Sequence, residues 1–168
     1  MIQWLPADNE AARELGVRFL CQHGEHLGVP YNWSTVMSSL ACSIEDNGFI
    51  IGIDSSGQII GVLAYTIGAG EDDYEDQTRI EVHLLYIKER PLRGRILLAA
   101  MHKLARQILD SPNAFREVVF YAAPSSDNRK LFAKFAALES TTEHPCGLLD
   151  FYTATPKSLL EYADCNRE

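Results

Sequence analysis

The feature that most constrains the fold is a strand, a basic turn and a helix that follow one another over residues 79–110. Residues 80–87 alternate in polarity and are rich in apolar, β-favouring side chains, which predicts a strand. Residues 88–95 contain Pro91, Gly94 and several arginines, which predicts a turn. Apolar residues then recur at helical spacing and predict a helix. They are Ile96, Leu97, Ala100, Met101, Leu104 and Ile108.

The junction between this strand and this helix is suited to hold an anion. The first amides of a helix have no intrahelical acceptor, and the macrodipole is positive at that end. Arg90, Arg93 and Arg95 cluster there in a chain of net charge −8, although cations are unfavourable beside those amides. A bound anion would remove this conflict. A solvated basic turn that only connects strand to helix is an equally compatible interpretation.

Composition narrows the class of protein. The 168 residues predict one domain over residues 1–168, and 46% hydrophobic with 23% charged residues is typical of a globular chain with a core. The balance of 15 basic against 23 acidic residues is unsuited to wrapping nucleic acid, so no nucleic-acid partner is expected. No stretch predicts a signal peptide or a membrane span.

The four cysteines are widely spaced and form no C-x-x-C pair. They fit neither a zinc cluster nor a dense disulfide framework, so no metal site is predicted. A reducing, cytoplasmic location is the simplest interpretation.

The other elements can be placed in order along the chain. Before the central unit, the pattern predicts an edge strand at 1–5, a helix at 11–21 capped by Asp8 or Asn9, a helix at 36–41 capped by Ser34, and a hairpin of strands at 49–54 and 59–67. After it, the pattern predicts a strand at 116–123 and a helix that is capped by Ser125, Ser126 or Asp127 and has an apolar stripe through Leu131, Phe132, Phe135 and Leu138. A loop at 141–147, a strand at 148–153 and a helical turn at 158–163 complete the chain. A strand–helix–strand segment favours a parallel crossover, whereas a hairpin is antiparallel, so the sheet should be mixed.

This order resembles that of the GNAT superfamily of acetyl-CoA-dependent N-acetyltransferases. The family carries Gln/Arg-x-x-Gly-x-Gly/Ala, often R-G-x-G-x-G/A, in the turn after its fourth strand. The corresponding residues here are Arg93, Gly94, Arg95, Ile96, Leu97 and Leu98. Arg93 and Gly94 match the motif, whereas Ile96 and Leu98 replace small residues. The resemblance implies one α/β (α+β) domain, with a mixed, mostly antiparallel sheet and a central parallel β–α–β crossover flanked by helices.

The resemblance also implies acetyl-CoA as co-substrate. Residues 93–98 would hold its diphosphate. The backbone of Leu85, Tyr86 and Ile87 would pair with the pantetheine arm, because the family separates its fourth and fifth strands there. Asn128, early in the next helix, would also contact the arm.

Acetyl transfer to an amine needs orientation of the reactants and a route for the amine's proton. Glu81 lies thirteen residues before Gly94 on the central strand, near the position where the family often has a carboxylate base. His83 shares its strand face, so either residue could take the proton directly or through water. Alternatively these are ordinary polar groups, for example Glu81 paired with Arg79.

The family's usual general acid is a tyrosine within a pattern resembling L-Y-x-K-x-G-F. Phe132 occupies that position here and has no proton to donate, so the pattern favours a core role for it. Tyr121, Ser125 and Ser126 are the nearest alternatives. Otherwise the thiolate leaves without help from the protein, or the domain is not catalytic.

The same resemblance implies that two loops form the binding site for the acceptor amine. The loop between the first two helices carries His23, His26, Tyr31 and Trp33. The acidic run at 71–76 would attract a cationic amine, or is simply solvated.

The predicted function is therefore transfer of an acetyl group from acetyl-CoA to a primary amine of a small molecule or peptide. The alternative is a catalytically weak or inactive GNAT-fold module that binds acyl-CoA or a protein partner. A relative that acetylates aminoacyl-tRNA is disfavoured by the net charge. Family members are often dimers, so a homodimer stays open.

Overall fold

The computed structural model describes residues 2–27, 32–88 and 93–166. Its elements are β1 (Gln3–Pro6), α1 (Glu10–Gln22), α2 (Trp33–Glu45), β2 (Phe49–Ile53), β3 (Ile59–Ile67), β4 (Arg79–Ile87), α3 (Arg93–Leu109), β5 (Glu117–Ala122), α4 (Ser126–Phe132), β6 (Ala137–His144), β7 (Gly147–Ala154) and α5 (Pro156–Cys165). Short 3₁₀ turns lie at Gly24–His26 and Gly70–Asp72.

The strands form one sheet in the order β1-β2-β3-β4-β5-β7-β6. Strands β4 and β5 are parallel and are connected through α3, whereas the other neighbouring pairs are antiparallel. The predicted fold class, a mixed and mostly antiparallel sheet with a central parallel crossover, is therefore confirmed.

Helices cover both faces of the sheet, because apolar residues on successive strand positions point to opposite sides. On one face α3 and α5 bury a core that includes Ile80, Ile96 and Leu159. On the other face α1 and α2 bury a second core that includes Leu20 and Leu40. None of the helices in the described ranges is both long and apolar enough to cross a lipid bilayer.

The helix starts agree with the predictions in part. Asn9 caps α1 as predicted, through a hydrogen bond that its side chain accepts from the Ala12 amide. The cap of α2 is Asn32 rather than Ser34, because the Asn32 side chain accepts from the Thr35 amide. Helix α3 begins at Arg93, so residues 93–95, for which the sequence predicts a turn, are its first helical residues.

The C-terminal predictions were wrong in two places. Helix α4 ends at Phe132, and Ala137–His144 is a strand that pairs with β7, so neither a helical Leu138 nor a loop at 141–147 is observed. Strand β6 is exposed at every position but its last, so it lacks the alternation that indicates a half-buried strand. The predicted helical turn at 158–163 is a ten-residue helix that starts at a capping box between Thr155 and Ser158.

Candidate active site

The sheet opens in its middle. Strands β4 and β5 pair only from Arg79 opposite Glu117 to Val82 opposite Phe120. Beyond that point β4 continues to Ile87, whereas the last two residues of β5 pair only with β7. We call the resulting gap, between residues 83–87 of β4 and residues 121–122 of β5, the β4–β5 opening.

A β-bulge lies at the apex of this opening. Ala64 pairs with Leu84 and Tyr65 pairs with Val82, so His83 is an extra residue in β4. A bulge bends its strand and redirects side chains. Here His83 and the adjacent Leu84 both line a small cavity against Val36, Ser39 and Leu40 of α2.

Glu81 and His83 lie side by side at the bulge, as the strand period predicted. Glu81 Oε1 is 3.6 Å from His83 Nδ1, and the two side chains are 6% and 7% exposed. Glu81 Oε2 accepts a hydrogen bond of 2.7 Å from the Gly70 amide, and His83 Nε2 is 2.7 Å from Oγ1 of the buried Thr66. Sequence reasoning missed Thr66, which is brought to His83 only by the pairing of β3 with β4.

Burial sets the protonation of His83. It lowers the pKa of the imidazole, and the negative charge of Glu81 only partly opposes this effect. His83 is therefore neutral near neutral pH. Nδ1 faces Glu81, and Nε2 is joined to the Thr66 hydroxyl, which also donates to the Gly68 carbonyl at 3.4 Å.

Arg79 does not neutralise Glu81. Its guanidinium lies 3.1 Å from Glu71, 3.1 Å from Glu117 and 3.4 Å from Asp72. Part of the acidic run at 71–76 is therefore engaged in holding its own loop rather than free to attract a ligand. The described residues contain no group of three His, Cys, Asp or Glu side chains that could hold a metal ion.

Two tyrosines stand near Glu81. Tyr121 is the first residue of β5 beyond the last β4–β5 pair, and it packs against a cluster of Ala69, Val119 and Phe151. Burial raises the pKa of the Tyr121 phenol, and the charges of Glu81 and Glu71 raise it further. Tyr74 belongs to the acidic loop, and sequence reasoning missed it because an aromatic residue among acids carries no spacing signal.

The residues predicted to bind the pantetheine arm lie along the opening. The Lys88 amide donates to the Ile60 carbonyl of β3 at 2.9 Å. Because hydrogen-bonding direction alternates along a strand, the backbone groups of Tyr86 also face β3, and those of Leu85 and Ile87 face the opening. The ring of Tyr86 packs against Phe19 and His23 on the α1 side, with ring centroids 5.8 and 5.5 Å apart.

The predicted diphosphate site is the first turn of α3. Arg93, Gly94 and Arg95 are exposed, and Leu97 and Leu98 are half-buried. The Ile96 side chain is fully buried in the α3 core, unlike those of Arg93 and Arg95. Among the described residues neither arginine forms an ion pair. Arg90 and Pro91, like Tyr31 of the predicted acceptor loop, lie outside the described residues.

Helix α4 brings Asn128 to the end of β5. The Asn128 side-chain amide donates to the Ala123 carbonyl at 2.9 Å, and its backbone amide donates to Ser125 Oγ at 3.1 Å. Ser125 is therefore engaged as the helix cap.

Phe132 takes part in an aromatic cluster. Its ring centroid lies 5.0 Å from those of both Phe120 and Tyr152, and 5.9 Å from that of Phe135. The ring is partly rather than fully buried, so the predicted core role is met in part.

Solved acetyltransferase structures superpose on most of this chain. A mutant of the spermidine N-acetyltransferase SpeG from Vibrio cholerae has a TM-score of 0.66 at 10% identity, covering 96% of this chain and 98% of that one. A GNAT-family acetyltransferase from Staphylococcus aureus Mu50 has a TM-score of 0.66 at 10% identity, covering 93% and 99%. The chain has the GNAT fold. No protein-family model and no curated protein sequence matches it.

A third match is an acetyltransferase structure with bound ligands. The structure of AAC(6')-Ib in complex with paromomycin and acetyl-CoA matches with a TM-score of 0.53 at 16% identity, covering 78% of this chain and 73% of that one. In this chain the GNAT fold places Glu81, the β4–β5 opening and the first turn of α3 in succession along one strand–helix unit.

Proposed function

We propose that this protein is an N-acetyltransferase that transfers an acetyl group from acetyl-CoA to a primary amine. The observation that carries the proposal is the separation of β4 from β5 two residues after the buried Glu81. A gap at that point gives two reactants a place to meet beside a carboxylate that can accept a proton.

The residues around the gap fit acetyl-CoA. Leu85 and Ile87 offer a free strand edge to an amide-containing arm, as an added strand would use it. The α3 amides, with Arg93 and Arg95 beside them, suit a diphosphate. Among the described residues nothing lies within 4 Å of the position that a Gly94 Cβ would take, so this side of the first turn is open to a ligand. Acetyl-CoA would supply the acetyl group as an activated thioester.

Glu81 and His83 supply the proton route. An ammonium group must lose a proton before its nitrogen can attack, so a base has to stand beside it. The Glu81 carboxylate and the neutral His83 imidazole, 3.6 Å apart, can accept that proton directly or through water. Thr66 holds the imidazole ring in place through its hydrogen bond to Nε2.

Tyr121 is the proton donor to the leaving sulfur in this proposal. It lies at the apex of the opening, on the opposite strand from His83, and its raised pKa keeps the phenol protonated. Phe132 cannot serve, since its ring has no hydroxyl and packs against Phe120.

The second candidate is a GNAT-fold module that binds acyl-CoA or a protein partner without turnover. The phenylalanine at position 132, together with Ile96 and Leu98 in place of small residues, favours this alternative.

One experiment separates the two candidates. The protein is incubated with acetyl-CoA and a panel of primary amines that includes polyamines, amino acids and lysine peptides, and free thiol is followed. Reactions without amine correct for hydrolysis. The melting temperature is measured with and without CoA, because a ligand that binds the folded state raises it. Thiol release that depends on amine supports the transferase, and a thermal shift without turnover supports the acyl-CoA-binding module. The absence of a shift contradicts both of these and leaves only the module that binds a protein partner.

A further inference from the structure

The loop that precedes β4 holds a tyrosine in an unfavourable backbone conformation. Asp73 and Tyr74 have φ angles of 54° and 62°, in the left-handed region that bulky side chains rarely adopt. The loop imposes this conformation. The Tyr74 amide donates to the Ala69 carbonyl at 2.9 Å, and the Gln77 side chain donates to the Tyr74 carbonyl at 2.9 Å. Strained residues held in this way concentrate at functional sites, which directs attention to the Tyr74 side chain.

The strained backbone turns the Tyr74 phenol towards Glu81. Tyr74 Oη and Glu81 Oε2 each lie 3.5 Å from the position that a Gly70 Cβ would occupy, so the two oxygens flank a bare α-carbon. Within the described residues no hydrogen bond joins these two oxygens. Gly70 is exposed and Tyr74 is 45% exposed, so the space between the oxygens can be reached from solvent.

A glycine is not required at position 70 by its backbone. Its φ does not lie in the left-handed region, and a Cβ there would meet its neighbours at ordinary contact distances of 3.5 Å or more. What the glycine does is leave space beside a buried carboxylate and a half-exposed phenol. That space is where a hydrogen-bond donor can enter.

We propose that Tyr74 and Glu81 form the acceptor site, in which the phenol oxygen and the carboxylate accept hydrogen bonds from one primary ammonium group that enters over Gly70. Two acceptor oxygens call for a donor with at least two N–H bonds, and a single carboxylate matches a single positive charge. A primary ammonium meets both conditions, whereas a quaternary ammonium has the charge without the N–H bonds.

This inference deepens the proposed function, on which its catalytic meaning rests. An amine held at Glu81 Oε2 is separated from His83 by the carboxylate itself, whose Oε1 lies 3.6 Å from His83 Nδ1, and the β4–β5 pairing ends one residue further along β4. Tyr74 therefore acts as a residue that touches and orients the acceptor, while Glu81 and His83 take its proton.

The test measures binding without turnover. Binding of n-butylamine to the CoA-loaded protein is followed by saturation-transfer NMR, with butyltrimethylammonium as the charge-matched probe that lacks N–H bonds. Gly70→Ala fills the space and Tyr74→Phe removes only the hydroxyl. Each should weaken n-butylamine binding about tenfold, the factor that a lost hydrogen bond commonly gives. Tyr74→Phe should not alter the response to butyltrimethylammonium, and neither change should alter the CoA-induced thermal shift.

A control variant and three possible results separate the acceptor site from the proposed transferase. Tyr162→Phe on α5 removes a phenol far from the loop and should bind n-butylamine like the natural sequence. If n-butylamine does not bind, or if it binds both loop variants as tightly as the natural sequence, the acceptor site is wrong. Binding that responds to both variants, without acetyl transfer in the amine panel, would support the site and contradict the transferase. Acetyl transfer with unchanged amine affinity in both variants would support the transferase and contradict the acceptor site.

Discussion

The guanidinium group of Arg129 binds both carboxylate oxygens of Asp150, with Nε 2.7 Å from Oδ2 and Nη2 2.9 Å from Oδ1. Asp150 is fully buried on β7 and also accepts a hydrogen bond of 2.6 Å from Thr141 on β6. The pair thus connects α4, which carries Asn128, to the β6–β7 hairpin. Hydrogen bonding to Arg129 is the main reason that the pKa of Asp150 is held at about 2.

Asp150→Asn should therefore lower the free energy of unfolding. The native pKa lies below the usual value of 3.8, so the ionised carboxylate stabilises the fold fully above that value, and this contribution is lost as the pH falls towards 2. After allowance for the half-exposed guanidinium, the loss at pH 7 should be about 1 to 2 kcal/mol. Urea titrations of both proteins measure it. The difference in free energy of unfolding between the two proteins should become smaller below about pH 4. A difference that is constant with pH would contradict the role assigned to the Asp150 carboxylate.

The central part of the fold could be predicted because its signals are local. The apolar alternation of β4 and the apolar stripe of α3 each lie within one stretch of sequence. The two-residue period of a strand is enough to predict that Glu81 and His83 lie close together. The bulge at His83 was not visible in the sequence, since it depends on the register between β3 and β4. Thr66 and Gly70 were missed for the same reason, because they reach the site only through that pairing and the turn after it.

The β6–β7 hairpin shows the other limit of sequence reasoning. Strand β6 has polar side chains on both faces, and its position is fixed by pairing with β7 and by the contact of Thr141 with Asp150. The sequence pattern therefore wrongly predicts a helical stripe from Leu131 to Leu138. Periodicity reports burial, and an exposed edge strand buries too little to produce a period.

Glu81→Gln should slow acetyl transfer by about 100-fold or more, because the amide cannot accept the amine's proton. The change preserves the shape of the side chain, and the Gly70 amide can still donate to its oxygen. The CoA-induced thermal shift should be unchanged. The measurement is kcat with a saturating amine, beside the thermal shift on the same sample. Turnover at the natural rate would remove Glu81 from the proton route.

Arg93→Ala should weaken CoA binding by about tenfold, because it removes a charge-assisted contact at the first turn of α3. Arg106→Ala is the matched control, since Arg106 is exposed in the last turn of the same helix and its loss changes the net charge equally. Titration calorimetry with CoA compares the two. Equal losses in both variants would indicate a general charge effect rather than a site at the helix start.

Tyr121→Phe should reduce kcat by about 100-fold, the lower end of the range for general acid catalysis, while CoA affinity stays the same. The change keeps the ring, so its packing against Phe151 and His144 is retained. Tyr152→Phe is the control, because it also removes one phenol hydroxyl, here one that donates to Asp150 rather than facing the opening. A loss of kcat in Tyr121→Phe but not in Tyr152→Phe would identify the proton donor. If neither variant is slowed, the sulfur leaves without a proton from these tyrosines. The absence of a hydroxyl at Phe132 then does not slow acetyl transfer.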